Sequence, residues 1–465
     1  MWVGGKDPIL PFSHPLILDA MKQRITRRTF LKQAAATGAG LGVFGHLSAA
    51  RGIAAPSSKI VVAVMGVNSR GRVLAETCAR AEGCEVAWIC DVDERAIGKT
   101  IQAVSSAAPA SAPKARGEAD IRRVLENSDV DALVIAAPDH WHAPASILAM
   151  QAGKHVYVEK PCGHNCREGE LLVEAQAKYG RVIQMGNQQR ASSDSQRIIQ
   201  EIRDGLFGRA YYARAWYANT RGSIGYGKPA AVPDWLSWDL WQGPASRKPY
   251  TDNVVHYNWH WFWHWGTGEI CNNGAHEIDI CRWALGVDYP TRVTSSGGRF
   301  HFKDDWEFYD TQVASFDFAE DKTITWDGRS CNGRTVEGRG RGAAIHCENG
   351  TAILDRQGYV VYDQQNKVIL RSTDESNEAT LDIRGGGSLT ELHMANFFAA
   401  IRDGAQQYSP IDEGHKSTLL CHLGNIAQHT GRALICDPSN GRIQGDDEAM
   451  AMWGRSYEPG WEVIV

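Results

Sequence analysis

The chain has 465 residues, 43% of them hydrophobic, and a formal net charge of −5. That length exceeds one ordinary hydrophobic core and points to two domains, while the average composition excludes a disordered or fibrous chain. No run of lysine or arginine is long enough to make nucleic acid or an anionic membrane surface an expected partner, and the eleven cysteines, without zinc-ribbon spacing, read as mostly buried thiols rather than a disulfide framework.

Residues 1–57 read as an export address and spacer. Thr26, Arg27, Arg28, Thr29, Phe30, Leu31 and Lys32 match the twin-arginine signal, and a weakly apolar, Gly- and Ala-rich run over 34–50 follows. That run is too short to span a bilayer comfortably. Met21 and Lys22 stand where such signals begin, so residues 1–20 read as a start upstream of the one used. The expectation is a periplasmic or otherwise extracytoplasmic protein, carried already folded by the twin-arginine translocase. That route suits a chain that must acquire a cofactor before export.

The first folded domain is expected over 58–180. Residues 59–65 are β-branched and nearly all apolar, as a buried parallel strand requires. Gly66, Val67, Asn68, Ser69, Arg70 and Gly71 follow at once, a Gly-x-Asn-x-x-Gly variant of the dinucleotide fingerprint opening a helix. Gly66 permits the tight turn and Gly71 close helix–strand packing, while Asn68, Ser69 and Arg70 stand where a pyrophosphate meets backbone N–H groups. A second strand over 85–90 ends in Asp91, twenty residues past Gly71. A carboxylate there accepts both ribose hydroxyls and repels a 2′-phosphate, so NAD is expected and NADP disfavoured, with Asp93 a competitor for the role.

A third apolar strand over 132–137 runs into Pro138, Asp139, His140, Trp141 and His142, and a helix leads on to a fourth over 156–158. Such alternation is the signature of a doubly wound parallel sheet. The fourth strand ends in Glu159, Lys160 and Pro161, at the carboxyl edge where ligands bind in these sheets. A lysine there, partly desolvated and near a cationic nicotinamide, has a lowered pKa and can exchange a proton with a sugar hydroxyl.

Together, Gly66 to Gly71, Asp91, the Ala-Pro-x-x-x-His run ending at His142, and Ala152, Gly153, Lys154 and His155 followed by Glu159, Lys160 and Pro161 make the chain similar to the glucose-fructose oxidoreductase / inositol dehydrogenase (Gfo/Idh/MocA) family. The resemblance covers essentially everything from about residue 58. It implies an α/β fold: an N-terminal Rossmann domain with a doubly wound parallel sheet, and a C-terminal α+β domain with a large, mostly antiparallel sheet. It further implies a carbohydrate substrate and a homo-oligomer. In the family the lysine of Glu-Lys-Pro lies between nicotinamide and substrate, a catalytic role carried here by Lys160, and Pro138, His142 and Glu159 border the cofactor.

The second domain is expected over 181–465, with strands over 210–216, 311–318 and 351–354 and helices over 391–402 and 412–429 that close back on the first. Gln188, Gln189 and Arg190 are candidates for substrate hydroxyl contacts. Many of the sixteen tryptophans fall between Trp216 and Trp283. Any one of them is first a core residue, but flat faces also stack on sugar rings. The aromatic run from His256 to Trp265, Trp263 included, reads as a substrate wall, since its spacing fits no metal motif. Over 266–283 the resemblance implies a helix facing the nicotinamide. His276 matches the family's general acid–base histidine, and Asp279, one turn on, stands where it can orient that imidazole or meet substrate. The family's aspartate is here Asn272, which cannot ionise, so proton transfer falls more heavily on His276 and Lys160.

An exported enzyme has no free nicotinamide pool to draw on, so its cofactor should stay bound. Two reaction classes then suit: oxidation of a sugar CH–OH group with the hydride passed to a second sugar, or a redox-neutral glycosidase cycle in which the hydride is taken from C3 and returned after elimination and hydration. A non-catalytic sugar or NAD sensor is the third reading, suggested by Asn272 and opposed by intact Lys160 and His276.

Overall fold

The computed structural model describes residues 59–372 and 388–465; the export address expected over 1–57 lies outside the described residues. Six strands, β1 (Ile60–Met65), β2 (Cys84–Cys90), β3 (Arg116–Glu118), β4 (Ala132–Ile135), β5 (His155–Val158) and β6 (Ile183–Met185), form one parallel sheet in the order β3-β2-β1-β4-β5-β6. The order reverses between β1 and β4, and the cleft beyond their carboxyl ends is where such sheets bind ligands. Alternate residues of the central strands feed two cores. Ala63, Leu133, Ile135, Val156 and Val158 face one, while Val62, Val64, Ala132, Val134 and Tyr157 face the other. Helices cover both faces, which is why these strands are apolar throughout instead of alternating.

The sheet runs past residue 180, because β6 pairs with β5 as its last strand. The helix Ser388–Asp403 also returns from the far end of the chain, placing Met394, Phe397 and Phe398 in the core against β1.

A ten-stranded sheet makes the second domain. It comprises β7 (Ala210–Ala218), β8 (Arg292–Gly298), β9 (Thr311–Phe318), β10 (Lys322–Arg329), β11 (Arg341–Cys347), β12 (Gly350–Asp355), β13 (Gly358–Tyr362), β14 (Val368–Arg371), β15 (Leu434–Cys436) and β16 (Ile443–Gln444). The pairing is antiparallel except between β7 and β10. Gln312, Ala314, Phe316 and Phe318 of β9 are buried, whereas its Val313 is 47% exposed. That period-two pattern is expected where helices, here Ala275–Leu285 and Ile411–Thr430, cover one face only. The open face mixes polar pairs with an apolar cluster: Arg214 pairs with Asp327 at 2.7 Å and Tyr212 shares a hydrogen bond with Thr325, while Trp216, Ala344 and Ile353 pack together. All eleven cysteines are free thiols and nine are buried.

Candidate active site

Three strand ends build the nucleotide cleft. Gly66 leaves β1 at φ +78°, and a Cβ there would fall 2.5 Å from the Ala137 Cα. A Cβ on Gly71 would collide with the Gly66 carbonyl. Both glycines are thus required by close approach, one of the turn to the β4 exit and the other of the helix Arg70–Arg80 to the turn. Ser69 opens that helix without a side-chain cap, and Asn68 and Ser69 are exposed, so its first amides face outward for an anion. Asp91 ends β2. Its Oδ2 accepts Val67 N–H at 2.6 Å and its Oδ1 accepts Asp93 N–H at 2.9 Å. Burial pushes the Asp91 carboxyl up and these two donors offset part of the rise. Each oxygen keeps a lone pair for a ribose hydroxyl. Asp93, the competitor, caps the helix Glu94–Ala107 by accepting Arg95 N–H. Glycine turn, uncapped helix and ribose-end carboxylate together fit a dinucleotide.

The reacting edge lies where the two domains meet. Lys160 leaves β5 and donates from Nζ to the Asn272 carbonyl at 2.6 Å and to Asn272 Oδ1 at 3.2 Å. Burial holds the Lys160 ammonium below its ordinary range. Asn272 sits in a π-helical turn, Ile270–Gly274, of the kind that collects at functional sites, and the helix Ala275–Leu285 continues from it. One turn past Asn272 comes His276, 6% exposed, whose Nδ1 finds no hydrogen-bond partner among the described residues. Burial, followed by the cations Arg356, Arg341, Lys160 and Arg70, keeps its pKa well below that of free histidine. The imidazole is therefore neutral at physiological pH and able to accept a proton.

Two residues of this site escaped the sequence reading. Glu269 accepts from Asn272 Nδ2 at 3.3 Å, from Ser330 Oγ at 3.1 Å and from Arg221 Nε at 2.6 Å. By taking the amide N–H₂, it leaves the Asn272 oxygen for Lys160. The Gly-Thr-Gly-Glu run ahead of Asn272 was a visible signal for Glu269; nothing local marked Arg221.

The other expected residues take different places. Arg70 donates from Nε to Glu159 Oε1 at 2.9 Å, tying the glycine turn to the Lys160 strand, and Gln188 donates to the same oxygen at 2.9 Å. His142 is buried between two carbonyls, Pro161 O at 2.6 Å and Ala137 O at 2.7 Å, so it clamps the β4 exit to the Lys160 bend. Pro138 precedes the helix Asp139–Gln151 in that same β4 exit.

Arg190 and Asp279 were expected to contact substrate, and Asp279 to orient His276. Instead they grip each other, Nε to Oδ2 at 2.7 Å and Nη2 to Oδ1 at 2.8 Å, and Ser417 Oγ donates to Asp279 at 2.6 Å. Asp279 is 1% exposed; a buried guanidinium needs a carboxylate more than an imidazole does. Gln189 is buried, its amide 3.4 Å from Ser195 Oγ. Trp263 packs on Phe308 and lines a cavity of about 230 Å³ whose walls include none of Lys160, Asn272 and His276. Among the described residues no three His, Cys, Asp or Glu side chains converge as a metal site.

Comparison with known proteins supports the two-domain fold. The family description "Oxidoreductase family, NAD-binding Rossmann fold" matches residues 60–187, and its companion "Oxidoreductase family, C-terminal alpha/beta domain" matches residues 214–328. A "Glycosyl hydrolase family 109 protein" of Saccharopolyspora erythraea is 32% identical over 228 residues, 45% of this chain and 49% of that protein. A protein of the same name from Parabacteroides distasonis is 27% identical over 67% of this chain and 70% of its own length. An "Alpha-N-acetylgalactosaminidase" of Shewanella oneidensis is 28% identical over 42% of this chain and 46% of its own. For two of these three, the match therefore spans about half of the relative. Among solved structures, the WlbA dehydrogenase from Bordetella pertussis, in complex with NADH and UDP-GlcNAcA, superposes with TM-score 0.60 at 20% identity, over 82% of this chain and 99% of its own. A levoglucosan dehydrogenase with NADH and levoglucosan gives 0.62 at 16%, over 81% and 99%. The chain belongs to the Gfo/Idh/MocA family of oxidoreductases, with NAD as the cofactor of its Rossmann domain.

Proposed function

We propose that this protein oxidises a CH–OH group of a sugar or sugar-like substrate with a retained NAD, Lys160 and His276 being its catalytic residues and Asn272 the residue that positions Lys160. The observation that carries the reading is a buried lysine of lowered pKa at the carboxyl edge of the Rossmann sheet, hydrogen-bonded to the turn that leads into a neutral buried histidine. NAD bound in the cleft supplies a reversible hydride acceptor. Lys160 holds the reacting hydroxyl and relays the one proton it gives up on oxidation to the neutral imidazole of His276. The Asn272 oxygens fix the ammonium in place without the charge of the family's aspartate. Arg95 is withheld from any 2′-phosphate because Asp93 takes its Nε and Nη2 at 3.0 and 2.8 Å, which supports NAD over NADP.

The redox-neutral glycosidase is a second reading, supported by the names of three relatives. A panel of monosaccharides and aryl glycosides separates the two. Net reduced nicotinamide without aglycone release supports the oxidoreductase; aglycone release without net reduction supports the glycosidase. Retained sugar binding with neither would leave a sensor.

Export by the twin-arginine route and assembly into a homo-oligomer complete the proposal. The first rests on Arg27 and Arg28 and the second on the face of the ten-stranded sheet that the helices leave open. Arg27→Lys combined with Arg28→Lys, followed by cell fractionation, tests export, and light scattering on the purified protein tests assembly.

A further inference from the structure

Between β7 and the aromatic run, the second domain sends a segment back over the nucleotide domain, and it lands on the residues that follow Asp91. Leu236 pairs antiparallel with Asp93. Ser237 N–H donates to the Val92 carbonyl at 2.9 Å, and Glu94 N–H donates to the Trp235 carbonyl at 3.3 Å. The Arg95 guanidinium stands 3.4 Å from the centre of the Trp235 ring. From the other side His256 stacks on Trp235, centroids 5.5 Å apart, and brings Nε2 to 3.0 Å from Asp93 Oδ2. Beneath these contacts, Val92 packs into the apolar cluster of Leu236, Trp238 and Trp259.

Four consecutive residues, 92–95, are thus held by backbone, side-chain and apolar contacts at once. Asp91 is bound into the same run, since its Oδ1 accepts Asp93 N–H. Whatever fixes Asp93 also fixes the carboxylate that meets the adenosine ribose.

We propose that residues 233–257 form a strap over the adenosine–ribose end of the NAD site that slows cofactor release, with Trp235 and His256 as its anchors. The proposal rests on the NAD reading of the cleft. Strap and nucleotide grip the same run from opposite sides, so each strengthens the other's hold by the same factor. A retained cofactor then needs no covalent link to the chain.

The test is the rate at which NAD leaves the full-length protein. The NAD-loaded chain and its Trp235→Ala/His256→Ala double variant are diluted into nucleotide-free buffer, re-isolated at intervals and denatured, and the released NAD is counted per chain. Tyr226→Ala, 68% exposed, serves as the control from the same region. The strap predicts release at least tenfold faster from the double variant, with the control unchanged. Equal rates from all three proteins, each NAD-loaded at the outset, would overturn the strap and leave the NAD reading standing. No nucleotide in any of them, with no rise in melting temperature on adding NAD, would overturn the cofactor reading itself. Should the double variant fail to fold, hydrogen exchange on the unaltered protein decides. Peptides covering 91–96 and 233–238 should exchange at least tenfold more slowly once NAD is added; unchanged exchange in both contradicts the strap.

Discussion

Replacing Gly66 by alanine tests the nucleotide turn at its tightest point. An L-residue at φ +78° costs roughly 1–2 kcal/mol. The new Cβ would also lie 2.5 Å from Ala137 Cα, a backbone atom that cannot swing aside as a side chain would, and overpacking of this sort adds about 1–3 kcal/mol. The sum is a loss of about 2–5 kcal/mol, concentrated where β1 and β4 meet the cofactor. Relief requires the β4 exit to retreat, and that opens the cleft. Gly66→Ala should therefore lower the urea midpoint and also lose NAD. The matched control is Gly98→Ala in the helix Glu94–Ala107, where a Cβ meets nothing within 4 Å. It should gain about 0.5–1 kcal/mol, because alanine gives up less backbone freedom than glycine in a helix. Urea titrations with and without NAD, together with nucleotide counted after denaturation, measure both effects. A Gly66→Ala protein within 1 kcal/mol of the parent and fully loaded with NAD would refute the reasoning.

Asp279→Asn should cost about 1–3 kcal/mol in the same titration by leaving the buried Arg190 guanidinium with the longer contact to Glu413 Oε2 at 3.4 Å as its carboxylate partner, while the KM of the remaining activity stays near the parent value; a raised KM with intact stability would return Asp279 to the substrate. Lys160→Met should lower kcat by roughly 10²–10⁴ and leave the bound NAD in place; unchanged turnover excludes it as an acid–base group. Because His276 stays neutral well below the usual histidine range, kcat/KM should show no acid limb between pH 8 and 6.5, and a limb centred near 6.5 would contradict the burial argument. Stability should fall with acid. Burial holds His140 and His393 at about 3 and His415 at about 4, so below about pH 6.5 the unfolded chain binds protons that these imidazoles refuse. Each removes about 1.4 kcal/mol per pH unit down towards its folded value, partly offset by Asp91 and Asp139, whose raised carboxyls take up protons more readily when folded. A melting temperature that is flat from pH 7 to 5 would contradict this.

What the sequence made legible is local. The β1 strand, the Gly66–Gly71 turn, Asp91 at the end of β2 and Lys160 at the end of β5 all follow from period and punctuation within a few residues, and the structure places each accordingly. Asn272 and His276 were legible through the family resemblance, whose aspartate and histidine positions they match, and the structure sets them one turn apart. Partners distant in sequence were not. Arg190 and Asp279 lie 89 positions apart, and each alone looks like a sugar-binding side chain; only their mutual burial makes them structural. Arg221 lies 48 positions before Glu269, and nothing near it in sequence points to that pairing. His142 illustrates a different limit. Its position in the motif was right, but a motif cannot tell a ring that meets cofactor from one held between two carbonyls.

The most direct test of the central claim is the reduced-nicotinamide absorbance of the purified protein, recorded with no NAD added. The account predicts that a sugar substrate raises the band, a second, acceptor sugar lowers it, and NAD in near-stoichiometric amount is freed on denaturation. A protein that yields no nucleotide and develops no band with any sugar or glycoside, even after loading with NAD, would contradict it.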